Sequence, residues 1–149
     1  ASSHVEELRS KMNELASTLP EYATVMGMYG VGKTFGPQLI AEIGDISNFS
    51  HREALTALAG VDPGVDQSGT HNSKSNKASK CGSNRLRKTL FQIMSTLLQT
   101  APEDDKVYQF LVKKRAEGKP YYVYMTAGAN KFLRIYYGKV KECIRNLEQ

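Results

Sequence analysis

A chain of 149 residues fits one domain, or one with a short appendage, and can bury about two thirds of its unfolded surface, so no disulfide or metal staple is required. With 40% hydrophobic and 23% charged residues it has the balance of an ordinary globular protein, and its longest unbroken apolar run, Tyr121 to Met125, is too short to cross a bilayer. The net charge of +5 is unevenly spread: residues 1–66 carry four Lys/Arg against nine Asp/Glu, whereas residues 67–102 carry six Lys/Arg and no carboxylate. Such a stretch is an electrostatic footprint suited to a polyanion, although a solvated basic face would look the same. The first residues, with Glu6 and Glu7, lack the basic-then-apolar order of a signal peptide, and two cysteines, Cys81 and Cys143, make no disulfide framework. No membrane association and a cytoplasmic location are therefore expected.

In chain order, Val5, Leu8, Met12, Leu15 and Leu19 alternate spacings of three and four, the a/d pattern of a coiled-coil seam, until Pro20 ends the helix. This is either an N-terminal helix docked on the domain or, given how abruptly the heptad begins, the tail of a longer coiled coil. Residues 1–20 are thus set apart from a domain over residues 21–149. From Glu21 to Gly44 the pattern is helix, tight Gly30-Val31-Gly32 turn, helix, with Phe35, Leu39, Ile40 and Ile43 as an apolar face and Gly44-Asp45 as the stop. Ser50 is placed to cap a helix running to about Ala59, and Pro63-Gly64 form a turn. Gln67 to Ser83, nearly devoid of apolar side chains, reads as a long basic loop. Asn84 to Thr100 is strongly amphipathic, with Leu86, Leu90, Ile93 and Leu97 on one face. After Pro102 a helix is expected over about Glu103 to Ala116, then a strand at Tyr121 to Met125, then a helix from about Thr126 to Leu147 burying Phe132, Leu133, Tyr136, Val140 and Ile144. The fold class is mainly α: a compact helical domain with a helix-hairpin-helix-like element, a long basic loop and an N-terminal coiled-coil-like helix.

Two motifs carry chemistry. Gly27 to Thr34 satisfies the phosphate-cradling pattern of a glycine, four residues, then Gly-Lys-Thr, but lacks the buried strand before it and the strand ending in Asp after it. The competing reading is a helical hairpin whose Gly30 and Gly32 let backbone N–H groups approach a phosphate, with the second helix's N-terminal dipole behind them and Lys33 adding charge. Such a hairpin positions nucleic acid without reading bases, and a plain tight turn is the alternative. The second motif is Gln67-Ser68-Gly69-Thr70 followed by Lys74, Lys77, Lys80, Arg85, Arg87 and Lys88. A serine hydroxyl among cations suits attack on a phosphodiester, the cations stabilising charge on phosphorus, although Ser-Gly is also a common loop pair.

The remaining constellations are weaker. His4, His51 and His71 have no ligand spacing, Asp45, Asp62 and Asp66 suit turns and caps, and no metal site is expected in this chain. Cys81 reads as a loop thiol beside Lys80. Tyr121, Tyr122 and Tyr124 can stack on bases or simply pack.

The order Gly30-Val31-Gly32, Ala41-Glu42-Ile43-Gly44-Asp45-Ile46, Phe49, Leu58-Ala59-Gly60-Val61-Asp62-Pro63, Gln67-Ser68-Gly69 and Lys80-Cys81-Gly82-Ser83-Asn84-Arg85-Leu86-Arg87 resembles the C-terminal transposase domain of the IS-one-ten family of insertion-sequence transposases. These DEDD enzymes are also described as bridge-RNA-guided recombinases, and the resemblance spans about residues 24–145. Val61 and Cys81 depart from it, where leucine and often an arginine or other polar residue would be expected. The resemblance implies a site-specific DNA recombinase in which Ser68 attacks DNA and forms a phosphoserine link. It also implies an N-terminal RuvC-like domain, absent from this sequence, whose four acidic residues bind magnesium. The chain is then expected to hold the serine half of a composite site, to bind DNA and to transfer strands poorly by itself. Guide RNA is a further candidate partner, and the whole protein is expected to be at least a dimer. The alternatives are a non-catalytic helix-hairpin-helix nucleic-acid-binding module and a P-loop nucleotide hydrolase.

Overall fold

Apolar residues three and four apart dominate the chain, and the computed structural model, which describes residues 2–62 and 84–148, realises that spacing entirely in helices among those residues. They are α1 (Ser2–Ser17), α2 (Tyr22–Met26), α3 (Gly32–Ile43), a 3-10 turn (Ile46–Asn48), α4 (Arg52–Ala59), α5 (Asn84–Thr100), α6 (Lys106–Ala116) and α7 (Tyr121–Leu147). α7 is the central pillar: α2, α4, α5, α6 and the 3-10 turn all pack on it, while α3 packs on α5 and carries α1 and α2 on its other side.

The four residues chosen from the sequence as the face of α5, Leu86, Leu90, Ile93 and Leu97, are all buried, joined by Met94 and Thr89. Phe132, Leu133, Tyr136 and Val140 of α7 meet them in one core with Leu39, Ile40 and Ile43 of α3 and Leu55 of α4. Polar side chains tie the helices at defined points. Gln38 Nε2 of α3 donates to Thr89 Oγ1 of α5 at 2.7 Å, and Tyr22 Oη donates to Asn13 Oδ1 of α1 at 2.9 Å. On α7, Asn130 Nδ2 donates to the Val61 carbonyl at 3.2 Å and Tyr137 Oη to the Phe49 carbonyl at 3.0 Å, so both flanks of α4 are held against the pillar.

Several boundaries differ from those expected. The Tyr121 to Met125 strand is instead the first turn of α7, which begins five residues before the expected Thr126. Pro120, extended at φ −60° and ψ 157°, starts it, and its carbonyl accepts from Tyr124 N–H at 3.1 Å. The consecutive Tyr121, Tyr122 and Val123 all face solvent while Met125 and Ala129 face the core, a helical register and not a pleated one. Aromatic and β-branched residues favour strands only when a neighbouring strand offers a surface, and none lies among the described residues. α6 begins at Lys106, later than Glu103, because Asp105 caps it by accepting from Tyr108 N–H at 2.9 Å. α4 is capped by His51, whose Nδ1 accepts from Ala54 N–H at 3.2 Å, and not by Ser50. Asp45 does serve as a cap, accepting from Ser47 N–H and Oγ, and these hydrogen bonds lower its carboxyl pKa. The Pro63-Gly64 turn and the Gln67 to Ser83 loop lie outside the described residues.

The heptad residues do form a helix, but they are not its packed face. Ala16 of α1 is buried, with Met12 and Asn13 half-buried beside it, whereas Leu15 is 72% exposed and Val5, Leu8 and Leu19 also face solvent. Leu8→Ala and Leu15→Ala are expected to change the stability of the dilute chain by less than about 0.5 kcal/mol. Leu90→Ala, in the core, should cost about 2–5 kcal/mol in the same urea unfolding series. A larger loss for the α1 pair would place the seam inside the monomer.

Burial in α7 raises the Tyr136 phenol pKa well above its ordinary value, and the nearby Glu21 carboxylate adds to the shift. Because the folded state holds this proton more tightly, the contribution is complete below the unfolded tyrosine pKa of about 10 and is lost as pH rises beyond it. Tyr136→Phe is therefore expected to flatten the fall in urea midpoint between pH 9 and pH 11. An unchanged slope would show that other groups govern the alkaline limb.

Candidate nucleic-acid interface

The Gly30-Val31-Gly32 turn joins α2 to α3 with Val31 driven into the core. Both glycines have positive φ, 85° and 61°, a region that side chains with a Cβ avoid. Their surroundings differ. A Cβ on Gly30 would lie 3.1 Å from the Ile93 carbonyl oxygen and about as close to the Leu97 side chain, so the turn is pressed against α5; at Gly32 nothing lies within 4 Å. Gly32 is thus the glycine that faces solvent, at the start of α3, where no side chain caps the first-turn N–H groups. Lys33 and Thr34 follow it, both exposed. α2 precedes this turn where a phosphate-cradling loop would need a buried strand.

The packing of α1 and α5 on either side of α3 opens a groove of about 980 Å³, and Arg85 and Lys88 from the first turns of α5 line one wall. Arg9 of α1 lines the opposite wall, with Thr34, Gln38 and Glu42 of α3 between them. A smaller pocket of about 300 Å³ shares Arg9, Thr34 and Gln38 and adds Lys33. Among the described residues, none of Arg9, Lys33, Arg85, Arg87 or Lys88 has a carboxylate within ion-pair distance. Glu42 brings one acidic group to the groove, with its Oε1 buried and unpartnered among the described residues. Arg87 does not itself line the groove; its Nη2 donates to Oδ1 of Asn84, a residue that does.

The structure therefore brings Lys33, Arg85 and Lys88 to neighbouring walls, leaves Gly30 in a packing role and sets Arg87 against groove-lining Asn84. Ser68, Lys74, Lys77 and Lys80 lie outside the described residues, as do Asp66, His71 and Cys81. The described chain nonetheless stops and resumes beside the groove, since Leu58 of α4 and Asn84 of α5 both line it. Arg9 was not legible in the sequence, because only the packing of α1 on α3 carries it there. No group of three or more His, Cys, Asp or Glu side chains capable of holding a metal ion occurs among the described residues. No described helix is long and apolar enough to cross a membrane.

The described residues thus form a helical domain with a basic groove beside a glycine-turned helical hairpin, and comparison with known proteins identifies its class as a transposase domain. Residues 22–109, from the start of α2 into α6, match the family described as Transposase IS116/IS110/IS902, and the chain belongs to that family. The match takes in the hairpin, Ser68 and the basic stretch through Lys88; it leaves out α1 with Arg9, most of α6 and all of α7. No curated protein and no solved structure matches the chain.

Gly30→Ala is expected to destabilise the fold more than Gly32→Ala, because the first meets both positive φ and the Ile93 carbonyl while the second meets positive φ alone. About 1–2 kcal/mol is expected for Gly32→Ala, with Gly30→Ala clearly beyond it in thermal or urea unfolding. Equal losses would mean that α5 yields to the added methyl.

Proposed function

We propose that this chain is the DNA-binding, serine-bearing domain of an insertion-sequence transposase, and that it works through a phosphoserine–DNA intermediate. The observation that carries the reading is the groove at which Arg9, Arg85 and Lys88 meet, with Lys33 in the adjoining pocket. Cations at a helix N-terminus are disfavoured by the helix dipole, so Arg85, Arg87 and Lys88 at the start of α5 are placed for an external anion and not for helix stability. Phosphates are the anions that a transposase family member meets on its substrate.

In this reading the groove holds the sugar-phosphate backbone and Gly32, Lys33 and the first N–H groups of α3 bind a phosphate from one side. Ser68, on the stretch between Asp62 and Asn84, attacks a scissile phosphodiester. Its Oγ–P bond forms as the P–O bond to the deoxyribose breaks, and the serine proton ends on the released sugar oxygen. The number of phosphoester bonds is unchanged, so rejoining to another strand needs no ATP. Cations near the phosphorus stabilise the charge that builds up there. Magnesium would be held by a separate acidic domain of the whole protein, whose chemistry would be to assist the same phosphoryl transfer. Guide RNA is a second nucleic-acid partner in this proposal, and the exposed seam of α1 suits a coiled-coil strand from another copy.

Two experiments test this. The whole transposase, with its metal-binding domain and RNA, should become covalently trapped on a nicked donor DNA, and Ser68→Ala should abolish the adduct. A variant that cleaves as well as the wild type would reduce this domain to a positioning module. Duplex affinity of the 149-residue chain should fall linearly with log salt, and Arg9→Ala, Arg85→Ala and Lys88→Ala should each lower that slope by about one, while Ser68→Ala leaves it unchanged. ATP binding that disappears in Lys33→Ala would favour a nucleotide hydrolase instead.

A further inference from the structure

Four aromatic rings meet where α5 passes the first turn of α7. Phe91 lies 6.5 Å from Tyr121 and 5.7 Å from Tyr122 between ring centroids, and Tyr121 lies 5.6 Å from Tyr124. The interplanar angles are 79°, 53° and 79°, so edges meet faces and no two rings stack flat on each other. Tyr121 is 56% exposed and Tyr122 44%, with Val123 beside them equally open. Among the described residues none of the three tyrosine hydroxyls makes a hydrogen bond, whereas Tyr22 and Tyr137 both do. Phe91 and Tyr124 are partly buried against the core, whereas Tyr121 and Tyr122 are open to solvent and their hydroxyls anchor to nothing among the described residues.

The chain that leads into the cluster is dense in positive charge. Lys113, Lys114 and Arg115 occupy the last turn of α6, and Lys119 stands two residues before Tyr121. Lys114 is engaged by Glu117 and by the Phe110 ring; Lys113, Arg115 and Lys119 are exposed and have no ion pair among the described residues. The helix dipole accounts for cations in the last turn of α6, but not for Lys119 beyond it or for the open aromatic faces. A protein-binding patch of this size would be expected to keep its rim mixed in charge, and here Glu117 is the one acidic residue between Lys106 and Tyr124.

We propose that Tyr121, Tyr122 and Phe91 form a stacking platform for unpaired bases of a nucleic-acid single strand, with Lys113, Arg115 and Lys119 holding its phosphates. Flat rings with free faces beside a cationic rim are what sequence-tolerant binding of single strands requires, since every base has a π-face and every linkage a charge. Tyr121 and Tyr122 lie outside the stretch matched to the family, although Phe91 lies within it, and Phe91 is not among the residues that line the groove. The inference rests on the nucleic-acid reading of this chain but not on the groove residues or on Ser68.

The test compares binding of the 149-residue chain to an oligothymidylate, an oligouridylate and a DNA duplex of equal length. Tyr121→Leu/Tyr122→Leu is expected to lose about tenfold in affinity for single strands and to leave duplex affinity unchanged, while Tyr121→Phe/Tyr122→Phe keeps both. Preference for the oligouridylate over the oligothymidylate would assign the platform to RNA, and the reverse to displaced DNA. Photocrosslinking of a 5-iodouracil single strand to wild type should mark the Tyr121–Tyr122 peptide, a readout independent of any variant's folding. Unchanged single-strand affinity in the leucine pair, or crosslinks only elsewhere, overturns the platform while duplex binding through the groove still stands. Loss of affinity for duplex and single strands alike on Arg85→Ala/Lys88→Ala, with none on the tyrosine variants, would assign all binding to the groove.

Discussion

At Gly128 of α7 a Cβ would sit 2.3 Å from Leu111 Cδ2 and 3.2 Å from Met94 Sδ, so α6 and α5 close on the pillar only over a residue without a side chain. The rest of the arrangement follows from that closure. With α5 seated by Leu86, Leu90, Ile93, Met94 and Leu97, the outer side of its first two turns holds Arg85 and Lys88 in the groove beside α3. Gln38 and Thr89 fix the distance between α3 and α5, and Gly30 lets the α2–α3 turn rest on the Ile93 carbonyl. A groove between two helices keeps its width only if both are clamped on their far sides, and these contacts are the clamps.

The same pillar anchors α4. Asn130 holds the Val61 carbonyl and Tyr137 holds the Phe49 carbonyl, so both ends of α4 are fixed, and Leu58 of α4 lines the groove together with Asn84 of α5. Asp62 itself accepts from the Thr56 hydroxyl of α4, which commits its carboxylate to the end of that helix.

Much of the fold was legible because helical periodicity over many residues is a strong signal. Leu86, Leu90, Ile93 and Leu97 identified both the extent and the buried face of α5, and Phe132, Leu133, Tyr136 and Val140 did the same for most of α7. The five-residue run Tyr121 to Met125 carried no such period, and composition alone favoured a strand; its helical state depends on Met125 and Ala129 finding the core, a tertiary fact. The a/d spacing located α1 but not the face it packs in the monomer, since such spacing describes a seam without naming its occupant; the monomer buries Ala16 and leaves Leu15 open. Of the candidate site, Lys33, Arg85 and Lys88 were readable as charge near a glycine turn and a helix start. Arg9 was not, because it comes from a segment with net negative charge that tertiary packing folds back over α3.

The angular positions on α5 separate two kinds of contact. Arg85, Lys88 and Gln92 succeed one another at three and four residues and face the groove, whereas Phe91 faces the first turn of α7. The core side of the helix, from Leu86 through Leu97, occupies the arc between them on the inner surface. A backbone-binding wall and an aromatic cluster on one helix cannot move independently, because turning α5 to improve one withdraws the other. Clamping by Gly128, Gly30 and Gln38 fixes that rotation. In the function proposed here, two differently built faces on one rigid helix, one charged and recessed and the other aromatic and open, would serve paired and unpaired nucleic acid without a moving part.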